Sequence, residues 1–192
     1  MSFNGKAIII SAPSGAGKTT IVHHILKAGL GLEFSVSACS RPKREGETDG
    51  RDYFFLSPEN FKQKIAAEEF VEWQEVYPGS FYGTLYSELQ RIWNNGHQVI
   101  FDVDVFGGIN LKKIFKEKAL SIFIAPPSLE ILEFRLRNRG MDLEESILKR
   151  LHKAKLELEQ QTYFDKVVIN DDLLKAQQET IYLITSFLSA PS

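Results

Sequence analysis

The sequence predicts an α/β fold, a parallel sheet flanked by helices with one inserted lobe, and three observations carry that prediction. Short apolar runs at residues 7–10, 98–103 and 119–125 have the length and character of strands buried on both faces. Segments with helical spacing lie between them, the alternation expected of a sheet covered on both sides. Between residues 34 and 84 the texture changes to short aromatic runs and polar loops, which marks an insertion with a small sheet of its own.

Taken in order, the first strand at residues 7–10 leads through a turn containing Gly15 and Gly17 into a helix over about 17–27, closed by Gly29. Inside the insertion, 53–56 and 70–76 are aromatic runs, Ser57 with Pro58 starts a short helix, and 74–80, with Pro78 and Gly79, reads as a loop. A helix over 85–95 ends at Gly96, the strand at 98–103 follows, and 119–125 repeats its character before Pro126 and Pro127. Ser128 caps a helix carrying Leu129, Leu132 and Leu136 on one side. Asp142 and Glu145 have the spacing of a capping box for a longer helix, and Arg135, Arg137, Arg139 and Arg150 make this region cationic. Residues 166–169 form a last strand, and Asp171 begins a closing helix with apolar positions 173, 181, 184 and 188 broken by Gln177. Neither repeats nor low-complexity linkers interrupt the pattern.

A chain of 192 residues can bury one good core but not two ordinary domains. Its net charge of -2 provides no global basic field, so nucleic acid is not an expected partner. No stretch approaches the ~18 apolar residues of a membrane span, and no charged segment followed by an apolar run opens the chain. With Cys39 as the one cysteine no internal disulfide can form, which fits a reducing, cytoplasmic setting; Cys39 reads as a small packed residue. His23, His24, His97 and His152 lack metal-ligand spacing.

The strongest chemical signal is the segment Ala12, Pro13, Ser14, Gly15, Ala16, Gly17, Lys18, Thr19, Thr20, set between a strand and a helix as a phosphate-binding loop must be. Its glycines let backbone N–H groups turn inward, the helix N-terminus adds partial positive charge, and Lys18 adds a full one. Ala12 stands where the strict pattern has glycine, so its φ is expected to be negative. Such a loop binds ATP with Mg2+, for which the Thr19 hydroxyl is a ligand, and an acidic partner is needed nearby. Asp102 and Asp104 stand at the C-terminal end of a buried strand, the edge where ligands gather in open α/β sheets, and Asp102 is the expected metal-side carboxylate.

Residues 11–20, 34–53 (with Ser37, Arg41, Arg44 and Tyr53), 70–73, 81–84, 102–104, 124–128 and 168–172 closely resemble guanylate kinases, in the right order over nearly the whole chain. The resemblance implies a P-loop NTPase-type core (1–33, 85–125 and 160–192), a GMP-binding lobe (34–84) and a helical lid (126–159). Arg41 and Arg44, on either side of Pro42, are similar to the arginines that hold the GMP phosphate, with Tyr53 and Tyr82 as donors and Gly83 beside them. Glu72 resembles the guanine-binding carboxylate, and Ser37 and Thr84 its hydroxyl contacts. Asp102 and Asp104 also face GMP. Arg135, Arg139 and Arg150 are similar to lid arginines that act with Lys18 and Arg41 in catalysis, whereas Arg137 has no such counterpart. Asn170 and Asp171 look like the loop touching adenine. The implied activity is Mg2+-dependent phosphoryl transfer from ATP to GMP or dGMP by a monomer or homodimer, with lid and lobe closing to exclude water. Guanylate-kinase-like domains can also serve as protein-binding scaffolds, typically without the phosphate loop, but Lys18 and Thr19 are intact here. A small kinase acting on another metabolite is disfavoured by Glu72 with Ser37 and Thr84.

Overall fold

A computed structural model describes residues 3–138 and 144–190. The main sheet contains β1 (Ala7–Ser11), β2 (Leu32–Phe34), β7 (Gln98–Val103), β8 (Ala119–Ala125) and β9 (Lys166–Ile169), in the order β2-β7-β1-β8-β9 and parallel throughout. β1 and β8 are fully buried along their length, which is why their sequences are apolar without alternation.

Successive β1 side chains nevertheless serve different cores. Ile8 and Ile10 pack with Ile21, Val22 and Ile25 of α1 (Lys18–Lys27) and with Ala176 and Ile184 of α7 (Leu173–Ser189). Ala7 and Ile9 point the other way, onto Leu89 and Ile92 of α3 (Tyr86–Asn94) and Leu111 and Phe115 of α4 (Val105–Phe115). The chain leaves β1 for one side of the sheet and returns on the other, so the loop after β1 opens at a topological switch point.

The insertion forms a second sheet in the order β4-β3-β6-β5, from β3 (Ala38–Cys39), β4 (Phe54–Phe55), β5 (Phe70–Tyr77) and β6 (Ser80–Leu85). Its core is aromatic: Phe61 of α2 (Pro58–Ala66) stacks on Phe70 at 4.3 Å and Phe81 at 5.6 Å between ring centres. The lobe meets the main sheet at Val36, whose N–H donates to the buried Glu88 carboxylate of α3 at 3.1 Å. Two helices remain, α5 (Leu129–Arg137) and α6 (Glu144–Leu158), packed on each other through Leu132, Leu136, Ile147 and Ala154.

Several caps stand where the sequence places them: Ser57 accepts from the Asn60 N–H, and Ser128 from that of Ile131. Three expectations need correction. Residues 74–80 are not a loop; β5 runs to Tyr77 and a tight turn at Pro78 and Gly79, where Gly79 adopts φ 78°, hands the chain to β6. The cap of α7 is Asp172, accepting from the Lys175 N–H at 3.1 Å, rather than Asp171. Leu85 closes β6, so α3 starts one residue later than read. The capping box at Asp142 lies outside the described residues. Because Phe61 has no exposed surface and holds two rings, Phe61→Ala should cost about 3–5 kcal/mol; urea unfolding followed by far-UV circular dichroism measures this.

Candidate active site

The loop after β1 takes the conformation that its composition requires. Gly15 and Gly17 sit at φ 94° and 95°, while the non-glycine residues with positive φ among those described are Glu68 and Lys116, so Ala12 tolerates its Cβ as expected. The first α1 residue, Lys18, sends its ammonium to the end of β7: Nζ lies 2.6 Å from Asp102 Oδ1 and donates to Val103 O at 2.6 Å. Asp102 thus engages the lysine directly. Pro13, Ser14, Thr19 and Thr20 line the same cavity of about 320 Å3, which Arg150, Lys153, Asp104 and Glu157 close from the other side.

A second cavity, of about 250 Å3, opens between the main sheet and the inserted lobe, and Asp104 belongs to the walls of both. That residue caps α4 by accepting the Gly107 N–H at 2.8 Å, which fixes its carboxylate at the junction. Ser37, Tyr53, Glu72, Tyr82 and Gly83 line the second cavity, as does Gln74. Thr84 stands behind them. It is 2% exposed and its hydroxyl donates to Glu72 Oε1 at 2.8 Å, so it orients the carboxylate. Burial pushes the Glu72 carboxyl above the ordinary carboxylate range, and hydrogen bonds from Thr84 only partly oppose that. Gly83 is required by a close crossing: a Cβ there would lie 2.7 Å from Glu72 O.

At the rim of this pocket Arg41 is held on all sides. Its guanidinium makes two bonds to Glu47, at 2.7 and 2.6 Å, lies 5.0 Å from the Tyr53 ring centre, and is bonded to the Tyr82 side chain. The Arg41 fork and the Arg44 backbone N–H hold Glu47 down to a pKa of about 2. Arg44 itself is exposed on the same loop. Glu47 was not singled out in the sequence; its spacing of six residues from Arg41 has no periodic signature, and only the chain reversal brings the two together.

A third cavity, of about 430 Å3, lies behind the phosphate loop, between Phe134, Arg135, Asn138, Asp171 and Leu173. Arg135 donates to Asn170 O at 2.9 Å and so stands on the wall of this cavity, not among the groups closing the phosphate cavity as the sequence reading had it. Asn170 also borders this cavity, and its side chain donates through Nδ2 to Ala16 O at 2.7 Å. Arg139 lies outside the described residues. Arg137, left aside in the sequence reading, pairs with Glu133 and Glu144 at the surface. Lys153 and Glu157, 3.4 Å apart, went unnoticed because an acid four residues after a lysine is commonplace on a solvated helix; here Glu157 is 3% exposed.

As for Mg2+, Thr19 and Asp104 line the phosphate cavity, whereas the candidate Asp102 does not line it and is held on Lys18, so the hard oxygen donors there are few. Such a sparse set fits an ion that keeps several waters and takes most other ligands from phosphates.

Two cavities that share one wall, one shaped for a run of phosphates and the other for a base with a single phosphate at its rim, suit the passage of a phosphoryl group between nucleotides; fold and site together define a P-loop nucleotide kinase. The guanylate kinase family model matches residues 4–186. The chain is 49% identical to guanylate kinase of Bacteroides thetaiotaomicron, over 96% of this chain and 91% of that one, and 48% identical to that of Salinibacter ruber, over 95% and 97%. The crystal structure of guanylate kinase from Anaplasma phagocytophilum superposes with a TM-score of 0.73 at 26% identity, covering 99% of this chain and 89% of that one. The chain belongs to the guanylate kinase family.

Replacing Glu72 by Gln keeps an acceptor for Thr84 and removes a desolvated charge. The raised Glu72 pKa means that the folded chain holds its proton longer than the unfolded one, so stability falls as pH rises through the folded-state value. Glu72→Gln lacks this slope. Its melting temperature should exceed that of the parent at pH 7 and converge on it near pH 4, a comparison that differential scanning calorimetry resolves.

Proposed function

We propose that the chain transfers the terminal phosphoryl group of ATP to GMP, and less efficiently to dGMP, giving ADP and GDP. The observation that carries the choice of acceptor is the half-buried Glu72 carboxylate in the second cavity, oriented by Thr84. Guanine presents two adjacent N–H donors to such a group, whereas adenine presents an acceptor at N1, so the same charge attracts one purine and repels the other. Ser37 lines the same pocket and can reach the base. At the rim Arg41, Tyr53 and Tyr82 receive the GMP phosphate, which takes over the Arg41 fork from Glu47, and Arg44 adds its charge.

On the donor side, loop N–H groups and Lys18 hold the β- and γ-phosphates, with Arg150 and Lys153 facing them. Mg2+ bound with ATP would neutralise donor phosphate charge, and Thr19 and Asp102 would hold it from the protein side. An oxygen of the GMP phosphate attacks the γ-phosphorus, the bond to the β,γ-bridging oxygen breaks, and ADP leaves. The protein's part is placement in line and neutralisation of charge. Asp104, on the wall common to both cavities, faces the path of transfer. The adenine lies in the third cavity against Arg135 and Asp171. Closure of lid (126–159) and lobe (34–84) over the core (1–33, 85–125 and 160–192) keeps water from the γ-phosphate. We place the reaction in the cytoplasm, a compartment that suits the unpaired, buried Cys39, by a monomer or homodimer.

A coupled ADP-release assay with GMP, dGMP, AMP, CMP and UMP should give strong turnover with GMP, weaker turnover with dGMP and essentially none with the other three. Comparable rates with AMP would remove Glu72 from its role as base selector. Lys18→Ala should lower kcat by roughly 10^2- to 10^3-fold or more without unfolding the chain. Glu72→Ala should act mainly on KM for GMP, raising it about tenfold or more.

A further inference from the structure

Asn170 follows β9 and is 4% exposed, and its backbone N–H donates to Ala125 O at 2.8 Å. Its carboxamide donates through Nδ2 to Ala16 O at 2.7 Å. A carbonyl oxygen can only accept, so the nitrogen is the end that must face it. Ala16 is fully buried and precedes the cap of α1 by one position; the helix ladder begins afterwards, with the Ile21 N–H on Gly17 O at 3.2 Å. A buried acceptor outside the ladder therefore obtains its donor from the far end of the chain.

The bond has a directional consequence. In a planar trans peptide the C=O and the following N–H point in opposite directions. Drawing Ala16 O towards Asn170, on the wall of the third cavity, aims the Gly17 N–H the other way, and Gly17 borders the phosphate cavity as well as the third. The same contact gives Gly17 a second reason to be glycine: besides its φ of 95°, a Cβ there would lie 2.3 Å from Asn170 Nδ2. Arg135 of α5 donates to Asn170 O at 2.9 Å, so the wall of the third cavity and the phosphate loop meet in this one residue.

We propose that Asn170 is a positioning residue for the donor phosphates: its carboxamide clamps the Ala16–Gly17 peptide and holds the Gly17 N–H towards them, instead of reading the donor base. The inference rests on the phosphoryl-transfer reading given above. A probe with phosphates and no base separates the two roles. Calorimetric titration of the full chain with magnesium tripolyphosphate, and separately with GMP, is compared for the parent, Asn170→Ala and Asn170→Asp, the latter keeping the shape but presenting an acceptor to Ala16 O. Tripolyphosphate affinity should fall about tenfold or more in both variants, with kcat/KM for ATP falling alongside it, while GMP affinity stays within about twofold. Unchanged tripolyphosphate affinity with weakened ATP would mean that Asn170 reads the base, and overturns the clamp. Equal loss for tripolyphosphate and GMP would mean a general loss of fold, and overturns it too. If the parent chain itself fails to bind tripolyphosphate, the phosphate-loop reading falls and the clamp falls with it.

Discussion

The contact between Lys18 and the end of β7 is the constraint around which the site is arranged. β7 pairs with β1 so that Asp102 lies opposite Ile10, one residue before the phosphate loop branches from Ser11. The lysine that must later face phosphates is thereby drawn across the sheet edge onto Asp102 and Val103 O, at the seam where the main sheet, the inserted lobe and α4 meet. Ser11 closes the same seam by donating its hydroxyl to Asp104 O at 3.1 Å. A shift of β7 by one residue would turn Asp102 to the opposite face of the sheet and leave the ammonium without its partner.

Similar restraint applies to the other cations. Arg41 is bonded to Glu47 and Lys153 stands near Glu157, so three cations bordering the cavities, on separate stretches of the chain, each have a carboxylate alongside. Lys18, Arg150 and Lys153 border one cavity and would repel each other, and Asp104 and Glu157 offset that within the same walls. None of these ion pairs is fully dry: Lys18 and Asp102 retain 20% and 21% side-chain exposure, and Arg41 and Glu47 12% and 20%. Exchanging a carboxylate for a phosphate oxygen in such a setting replaces one anion by another at little desolvation cost. The carboxylates set the direction of each cation before substrate arrives, which is where an entropic saving in binding originates.

Much of this was legible in the sequence because backbone demands leave chemical traces. Strand, glycine-rich turn and lysine in succession, Ser57 before Pro58, and Ser128 before an apolar stripe each report a local geometry that few other residues satisfy. The sequence analysis assigns no helix between the strands at 98–103 and 119–125, where α4 lies, and Gly107 with Gly108 weakens the helical signal there. They are there for proximity: a Cβ on Gly108 would lie 2.3 Å from Ser11 Oγ, so the helix can rest close on β1 only without one. The 74–80 hairpin was misread for the converse reason, since Pro78 and Gly79 mark a turn without saying how tightly the strands close around it. Glu47 and the inward turn of Asn170 leave no periodic mark, as each acts across a fold of the chain, while the helical spacing of Glu157 from Lys153 does not reveal that the acid is buried.

Base selection and stability pull against each other at Glu72. Its carboxylate is partly withdrawn from water, and that shielding, which on the proposed reading sharpens discrimination between purines, raises the cost of the charge in the fold. Thr84 compensates with one hydrogen bond and itself gives up solvent, at 2% exposure. The remaining stability must come from elsewhere in the lobe, and the stacked rings of Phe61, Phe70 and Phe81 beneath the sheet are its densest apolar packing. A lobe with a small sheet and no second apolar face could not hold an ionised acid in its wall without such an aromatic core. The aromatic side chains of residues 53–81 and the half-buried Glu72 meet in this respect: the proposed base selection needs a wall rigid enough to keep a charge in place.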